Sequence, residues 1–275
     1  MFTITQNYVK AESLSQAYDE LMRNRNNRIL GGGMWMRQGR KRIPTLVDLS
    51  ALGLDTITQT GQGIDIGCMA TLRDMETSPL LTGSLQILSK SVSDIVGVQF
   101  RNTATVGGSV YGRFGFSDFL TALLALDCTV HLYHGGKVPM RDFVNLPYSK
   151  DIVEKISLTI HDSCVASYQS LRRSATDFPV IALAVAKTGD RWAISVGARP
   201  HRAALAVQTA ASLGAVPSAL ELEAAAESLC QELTFGENMR ASADYRRDIT
   251  KVLFRRAAEE LLSAEQQLGM ERSPS

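Results

Sequence analysis

Cysteine is scarce and scattered in this chain of 275 residues. The four are Cys68, Cys128, Cys164 and Cys230, and no two form a Cys-x-x-Cys pair. That excludes the usual iron–sulfur and zinc ligand spacings and favours free, mostly buried thiols in a cytoplasmic protein. No charge of one sign dominates: 29 Lys and Arg face 28 Asp and Glu, for a net charge of +1, which argues against a nucleic-acid surface. Long apolar runs are missing. The best candidates, residues 119–126 and 180–186, fall far short of the ~18 apolar residues a membrane span requires. The opening residues, Met1-Phe2-Thr3-Ile4-Thr5-Gln6-Asn7, lack the basic start and apolar core of a signal peptide.

Catalytic signatures are absent as well. There is no Gly-x-Gly-x-x-Gly fingerprint, since Met36 stands where its third glycine would fall, and no mononucleotide P-loop. A Rossmann fold is therefore not expected. Neither a Gly-x-Ser-x-Gly elbow nor an activated-cysteine pattern occurs. His131 and His134 are placed on a strand, where a spacing of three points them to opposite faces, so no metal site is expected. A chain whose side chains announce no chemistry, if it is an enzyme, suits a cofactor that brings its own reactivity.

What the chain does have is two glycine runs. The first is Ile29-Leu30-Gly31-Gly32-Gly33-Met34-Trp35-Met36; the second is Arg101-Asn102-Thr103-Ala104-Thr105-Val106-Gly107-Gly108-Ser109. Each reads as a tight turn or as a nest of backbone N–H groups for an anion. Two nests in one domain suit a ligand with two phosphates. A basic cluster, Arg37, Arg40, Lys41 and Arg42, follows the first run; it reads either as a solvated loop or as a neighbour of phosphate.

With 45% hydrophobic residues the chain can bury a sizeable core. Ser13-x-x-Gln16 is a capping box ahead of a helix over 13–24. Strands are expected at 28–30, 44–49 and 64–67, and Thr71-x-x-Asp74 opens a second helix. A third spans 85–93 and a strongly apolar one 118–126. Residues 128–133 and 137–140 form a hairpin around Gly135-Gly136, with Gly61-Gln62-Gly63 as an earlier turn. In the second half, strands are expected at 156–160, 164–170 and 192–197. The Ala/Val-rich segment after Asp177-Phe178-Pro179 reads as a helix, and further helices fall at 201–213, 218–233 and 244–264. No internal repeat is visible. The pattern is α+β, with a boundary near 161 and a frayed tail.

At this point the two runs resemble a known family, the FAD-binding medium subunit of molybdenum hydroxylases, which includes xanthine dehydrogenase and aerobic carbon monoxide dehydrogenase. Leu30-Gly31-Gly32-Gly33-Met34 is similar to the family's Ala-Gly-Gly-Thr-Asp loop. Residues 101–109 follow its Arg-Asn-x-Ala-Thr-Ile-Gly-Gly-Asn loop, and Asp118 matches its downstream Asp. Ile66-Gly67-Cys68-Met69-Ala70-Thr71 resembles its Ile-Gly-Ala-x-x-Thr junction. Further on, Arg172 to Pro179, Gly197-Ala198-Arg199-Pro200-His201-Arg202-Ala203 and Ser242-Ala243-Asp244-Tyr245-Arg246-Arg247 look like family segments. The chain departs from the pattern at Gly33-Met34, at Ser109 and across 111–116.

The resemblance implies an α+β fold: a two-subdomain FAD-binding domain of the PCMH type over 1–161, a smaller α+β C-terminal domain over 162–265 and a flexible tail over 266–275. It implies FAD as cofactor. The expected contacts are Leu30, Gly31, Gly32, Gly33, Met34, Trp35 and Met36 on the first loop, and Thr105, Gly107, Gly108 and Ser109 on the second. Asp118 is expected at a polar group in the middle of FAD, although it also reads as a helix N-cap; Gln169 is carried as a residue near the flavin. The implied partners are a molybdopterin-binding large subunit and a [2Fe-2S] small subunit, with electrons leaving through FAD to NAD or another acceptor. A stand-alone FAD-dependent oxidoreductase, and an assembly subunit that has lost FAD, remain the alternatives.

Overall fold

The computed structural model describes residues 1–61 and 63–272. They divide into two compact units, neither continuous in sequence. One comprises Met1–Leu80, Gly97–Gly112 and Cys128–Leu158; the other comprises Leu81–Val96, Arg113–Asp127 and the chain from Thr159 onward. The boundary expected near 161 is thus the last of several crossings. Residues 81–96 and 113–127, expected in the first domain, pack in the second unit.

The first unit holds two sheets. The smaller is parallel, with strands in the order Thr3–Lys10, Arg42–Asp48, Arg28–Leu30. Helix Leu14–Met22 buries Ala17 and Leu21, and Ser13 caps it by accepting from the Gln16 N–H at 3.1 Å while Gln16 Oε1 takes the Glu12 N–H at 2.7 Å. The larger sheet runs Ile57–Thr60, Gly63–Gly67, Val153–Thr159, Cys128–Leu132, Gly136–Pro139. Leu132 pairs with Gly136, so the hairpin loop is Tyr133, His134 and Gly135, one residue longer than expected. Asp151 holds it, accepting from the His134 and Gly135 N–H groups at 3.1 and 2.8 Å. Gln62, placed in the earlier turn by the sequence, lies outside the described residues. Thr71 and Asp74 open helix Leu72–Thr77 as expected, and they do so with a capping box.

The second unit is built on an antiparallel sheet in the order Ala204–Leu205, Arg191–Gly197, Ile181–Thr188, Cys164–Leu171. Its central strand, Ile181–Thr188, is the segment expected as a helix. Ile181, Leu183 and Val185 point into a cluster with Leu229, Phe254 and Ala257. The opposite face, with Ala182 and Ala184, looks toward helix Asp118–Ala125, where a Cβ on Gly197 would stand 2.0 Å from Thr121 Oγ1. A strand covered on both faces has no polar alternation, and small residues facing a close helix made it alanine-rich. The physical cause of the misreading is double burial.

Between 201 and 213 the expected helix is a two-residue strand, Ala204–Leu205, followed by the short helix Val207–Ser212. Helix Ala219–Glu232 carries a Ser218–Glu221 capping box. The closing helix runs Ala243–Arg272, so much of the segment expected as a tail continues it, and residues 273–275 lie outside the described residues. Two of the family-like segments are bound to main chain. Arg246, 1% exposed, donates from Nε to the Val180 and Ala198 carbonyls at 3.0 and 3.2 Å. Arg199 donates to the Val196, Thr234 and Arg202 carbonyls. Buried guanidiniums saturated by carbonyls fix loops that have no regular ladder.

Candidate functional site

Strand Arg28–Leu30 delivers the chain directly into the first glycine run. Gly31 lies where a Cβ would be 2.6 Å from Thr105 Oγ1, and Gly32 where one would be 1.7 Å from the Thr103 carbonyl oxygen. Any side chain at Gly32 would collide with backbone. The two glycine runs therefore pack on each other, and this contact is one reason for the glycines. Gly33 has φ +66° and starts helix Met34–Gln38, its carbonyl accepting from Arg37 N–H at 3.0 Å. This is the left-handed region, where glycine carries no Cβ penalty. Among the described residues, the N–H groups of Gly31, Gly32, Gly33 and Met34 have no protein acceptor.

The second run is different. Residues 106–109, expected as a loop, form the first turn of helix Val106–Gly112. Val106 N–H donates to Ala70 and Gly107 N–H to Cys68, each at 2.8 Å. Thr105 Oγ1 accepts from Gly108 N–H at 3.3 Å, and Ser109 returns both its N–H and its hydroxyl to the Thr105 carbonyl at 3.0 and 2.9 Å. Thr105 is 5% exposed. Most amides of this run are already spent inside the fold; among the described residues the Thr105 N–H meets no protein acceptor, and with the Thr105 hydroxyl it gives the run its donors toward a ligand. Burial pushes the Cys68 thiol up to about 12, so it stays protonated and acts as packing under Gly107.

Trp35 follows the open amides. The residue is 39% exposed, and its ring meets Phe100 edge-on, centroids 6.2 Å apart. Arg37, Arg40, Lys41 and Arg42 are all exposed.

The remaining expected contacts lie in the second unit. Ser117, not Asp118, is the N-cap of helix Asp118–Ala125, accepting from Leu120 N–H at 3.1 Å. Asp118 is buried in the first turn. Its Oδ1 receives Arg172 Nη2 at 2.6 Å and the Tyr168 hydroxyl. Burial pushes its carboxyl up, against the pull of Arg172 and then of Tyr168. Burial also drives the Tyr168 hydroxyl well above its ordinary value, with the Asp118 charge adding to it; the tyrosine is the proton donor of the pair. Arg172 Nη1 reaches the Asp177 carbonyl at 2.5 Å, and its buried Nε has no partner among the described residues. Gln169 Nε2 donates to Glu260 Oε2 at 2.7 Å.

Sequence reasoning missed the acceptors that empty the second run, namely the carbonyls of Cys68 and Ala70, and missed Arg172 as the counterion of Asp118. The Thr71–Thr105 bridge leaves no pattern in the sequence beyond the glycines themselves. Arg172 did stand within a family-like segment, and a buried Asp ahead of an apolar helix was a signal that a cation must meet it.

These features define a class: an α+β protein of two units, whose first unit presents open backbone amides at a strand–helix junction of the kind that receives phosphate. Residues 2–158 match the model described as the FAD binding domain in molybdopterin dehydrogenase, and residues 166–261 match that of the CO dehydrogenase flavoprotein C-terminal domain. The chain belongs to this family of FAD-binding oxidoreductase subunits of molybdenum hydroxylases. It is 27% identical over 192 residues to the glyceraldehyde dehydrogenase medium chain of Sulfolobus acidocaldarius, covering 65% of this chain and 68% of that one. It is 27% identical over 290 residues to a xanthine dehydrogenase FAD-binding subunit of Escherichia coli O157:H7, covering 94% and 96%. Among solved structures, carbon monoxide dehydrogenase from Hydrogenophaga pseudoflava shares the fold with a TM-score of 0.86 at 21% identity, over 96% of this chain and 99% of that one. No described helix is long and apolar enough to cross a membrane.

Proposed function

We propose that this chain carries electrons from iron–sulfur clusters on a partner subunit, through FAD, to NAD or another soluble acceptor. When bound, FAD supplies a reversible store for an electron pair that can be filled and emptied one electron at a time. The chain's own part is to bind and orient it. The open N–H groups of Gly31, Gly32, Gly33 and Met34 are the observation that carries this reading. They fit the FAD pyrophosphate, because successive amides at a helix start stabilise an anion without a cationic side chain. The Thr105 hydroxyl, held beside Gly31, adds a donor. Leu30 and Met36 bracket the loop, while Gly107, Gly108 and Ser109 support it mainly by keeping Thr105 in place. Asp118 and Gln169 are each engaged within their own unit, and the pyrophosphate contacts do not depend on them.

The partners follow from the same chemistry. The four cysteines are all free, and among the described residues no group of three or more His, Cys, Asp or Glu is placed to hold a metal. We assign the clusters and the molybdenum cofactor to a small and a large partner subunit. Reconstitution of the purified full chain with FAD tests the binding, with expected outcomes of a yellow 1:1 complex and a raised melting temperature. Co-expression with the neighbouring reading frames tests the assembly. A chain that takes up no FAD would overturn the binding assignment. A chain that turns over substrate with no partner subunit would overturn the electron-relay assignment.

A further inference from the structure

We propose that the cationic rim at residues 37–42, with the exposed strand Thr3–Lys10 beside it, is where a partner subunit docks through an acidic face. The inference rests on the electron-relay reading and names a surface of this chain for one of the partners that reading requires. Residues 23–42 hold seven of the chain's 29 Lys and Arg and none of its 28 Asp and Glu. Residues 1–10 add Lys10 and no acid. Among the described residues, Arg23 alone of the seven has a carboxylate, that of Glu20, while Arg28 donates to the Arg25 and Asn27 carbonyls at 2.9 and 2.8 Å. Arg25, Arg37, Arg40, Lys41 and Arg42 are exposed and form no ion pair there. Elsewhere Arg73, Lys155, Lys251 and Arg255 each hold a carboxylate. A chain of net charge +1 that gathers its unpaired cations on one rim presents a local field for an anion.

That anion is not the pyrophosphate. Leu30, which leads into the open amides, pairs with Asp48, whereas Arg42 begins the same strand, about 20 Å away at ~3.3 Å per residue. Lys41 is tied at that far end, its carbonyl accepting from Thr3 N–H at 3.0 Å. Strand Thr3–Lys10 is the edge of its sheet, with one neighbour. Every residue from Thr3 to Tyr8 is exposed, Ile4 at 37% and Tyr8 at 49%. A register shift between Ile4 and Asn7 breaks the ladder, which disfavours pairing with a further strand. Exposed apolar side chains rimmed by guanidiniums instead match the make-up of a protein interface, where Arg forks pair carboxylates. Apolar side chains left bare on an edge strand need a lasting cover, which a resident subunit gives and a transient acceptor does not.

The test titrates the purified full chain with partner subunits produced from the neighbouring reading frames, at about 0.1 and 1 M salt. Three variants are compared with wild type: the reversal Arg40→Glu/Lys41→Glu/Arg42→Glu, the neutral Arg40→Gln/Lys41→Gln, and Lys137→Glu, a reversal at an exposed lysine on the five-stranded sheet. The triple reversal should weaken association by about 30-fold or more, and the neutral variant by less. Wild-type association should weaken as salt rises, and Lys137→Glu should associate as wild type does. FAD affinity and melting temperature of the triple variant should stay near wild type, because its cations lie away from the amides and pair with nothing in the chain. Should the triple variant fold poorly, the neutral variant and the salt series read the same surface. Wild-type association in both cation variants would overturn the docking surface and leave the relay reading intact; loss of binding to phosphatidylserine vesicles in its place would assign the cations to a membrane surface. Equal weakening in Lys137→Glu would also overturn it. A wild-type chain that associates with no partner subunit would overturn both readings.

Discussion

The two glycine runs look alike in sequence and differ in what their backbones are doing. In the second, the amides of Val106 and Gly107 are consumed by the carbonyls of Ala70 and Cys68. In the first, the amides of Gly31 to Met34 meet no protein acceptor among the described residues. One run is a buttress; the other is the surface it supports. Sequence resemblance alone ranks them the other way, because the second matches the family pattern more closely. A motif can be well kept because it carries the packing beneath a site, while the ligand-facing backbone tolerates side-chain change.

Substitutions can break this division of labour. The largest effect is expected at Gly32, where a Cβ would lie 1.7 Å from the Thr103 carbonyl. Gly32→Ala must push the runs apart, at a cost of about 3 kcal/mol or more. Both the melting temperature and the retention of FAD should fall sharply, as thermal unfolding and flavin absorbance would register. Next comes Gly31→Ala, whose Cβ would meet Thr105 Oγ1 at 2.6 Å. Because that atom belongs to a side chain, Gly31→Ala should cost less in a Thr105→Ala background than in wild type. A double-mutant cycle reads the coupling, and strict additivity would show that the runs do not touch as described. Gly33→Ala places a Cβ in the left-handed region, at φ +66°, and should cost about 1–2 kcal/mol, measurable by chemical denaturation.

The smallest effect lies away from both runs and serves as their control. On the five-stranded sheet, Asp65 accepts from Lys155 Nζ at 2.5 Å and from the Ser157 hydroxyl at 2.6 Å, and His131 Nε2 lies 2.8 Å from that hydroxyl. Burial, then Lys155 and Lys137, holds the His131 imidazole below its ordinary value. Burial raises the Asp65 carboxyl, but its hydrogen bonds from Lys155 and Ser157 outweigh that and hold it below the usual carboxylate range. Both groups are depressed in the folded state, so each contributes stability above its unfolded pKa that is lost as pH falls through its folded one. For His131 the loss starts below about pH 6.5 and for Asp65 below about pH 4. His131→Asn should flatten the melting-temperature profile between these values and leave FAD affinity at neutral pH unchanged.

Much of the fold was legible because caps and alternation are local. Ser13 with Gln16, Thr71 with Asp74 and the strand Arg28–Leu30 needed only neighbouring residues to be read. The strand Ile181–Thr188 was not legible, since its two faces are buried by elements distant in sequence and its pattern carries no period. Nor were the excursions of 81–96 and 113–127 into the second unit, which depend on contacts with residues beyond 159. The site divides in the same way. The glycines of both runs could be picked out at once, as could Thr105. That Gly31 and Gly32 face Thr105 and Thr103, and that Asp118 would be claimed by Tyr168 and Arg172, depended on tertiary contacts that leave no spacing signal.

Amide hydrogen exchange of the full chain with and without FAD tests the division between the two runs most directly. Without FAD, the amides of Val106 and Gly107 should already be protected, while those of Gly31 to Met34 should exchange quickly. Saturating FAD should slow exchange across Gly31 to Met34 and change little at Val106 and Gly107. Bound FAD that protects the second run and leaves the first exchanging freely would contradict the account.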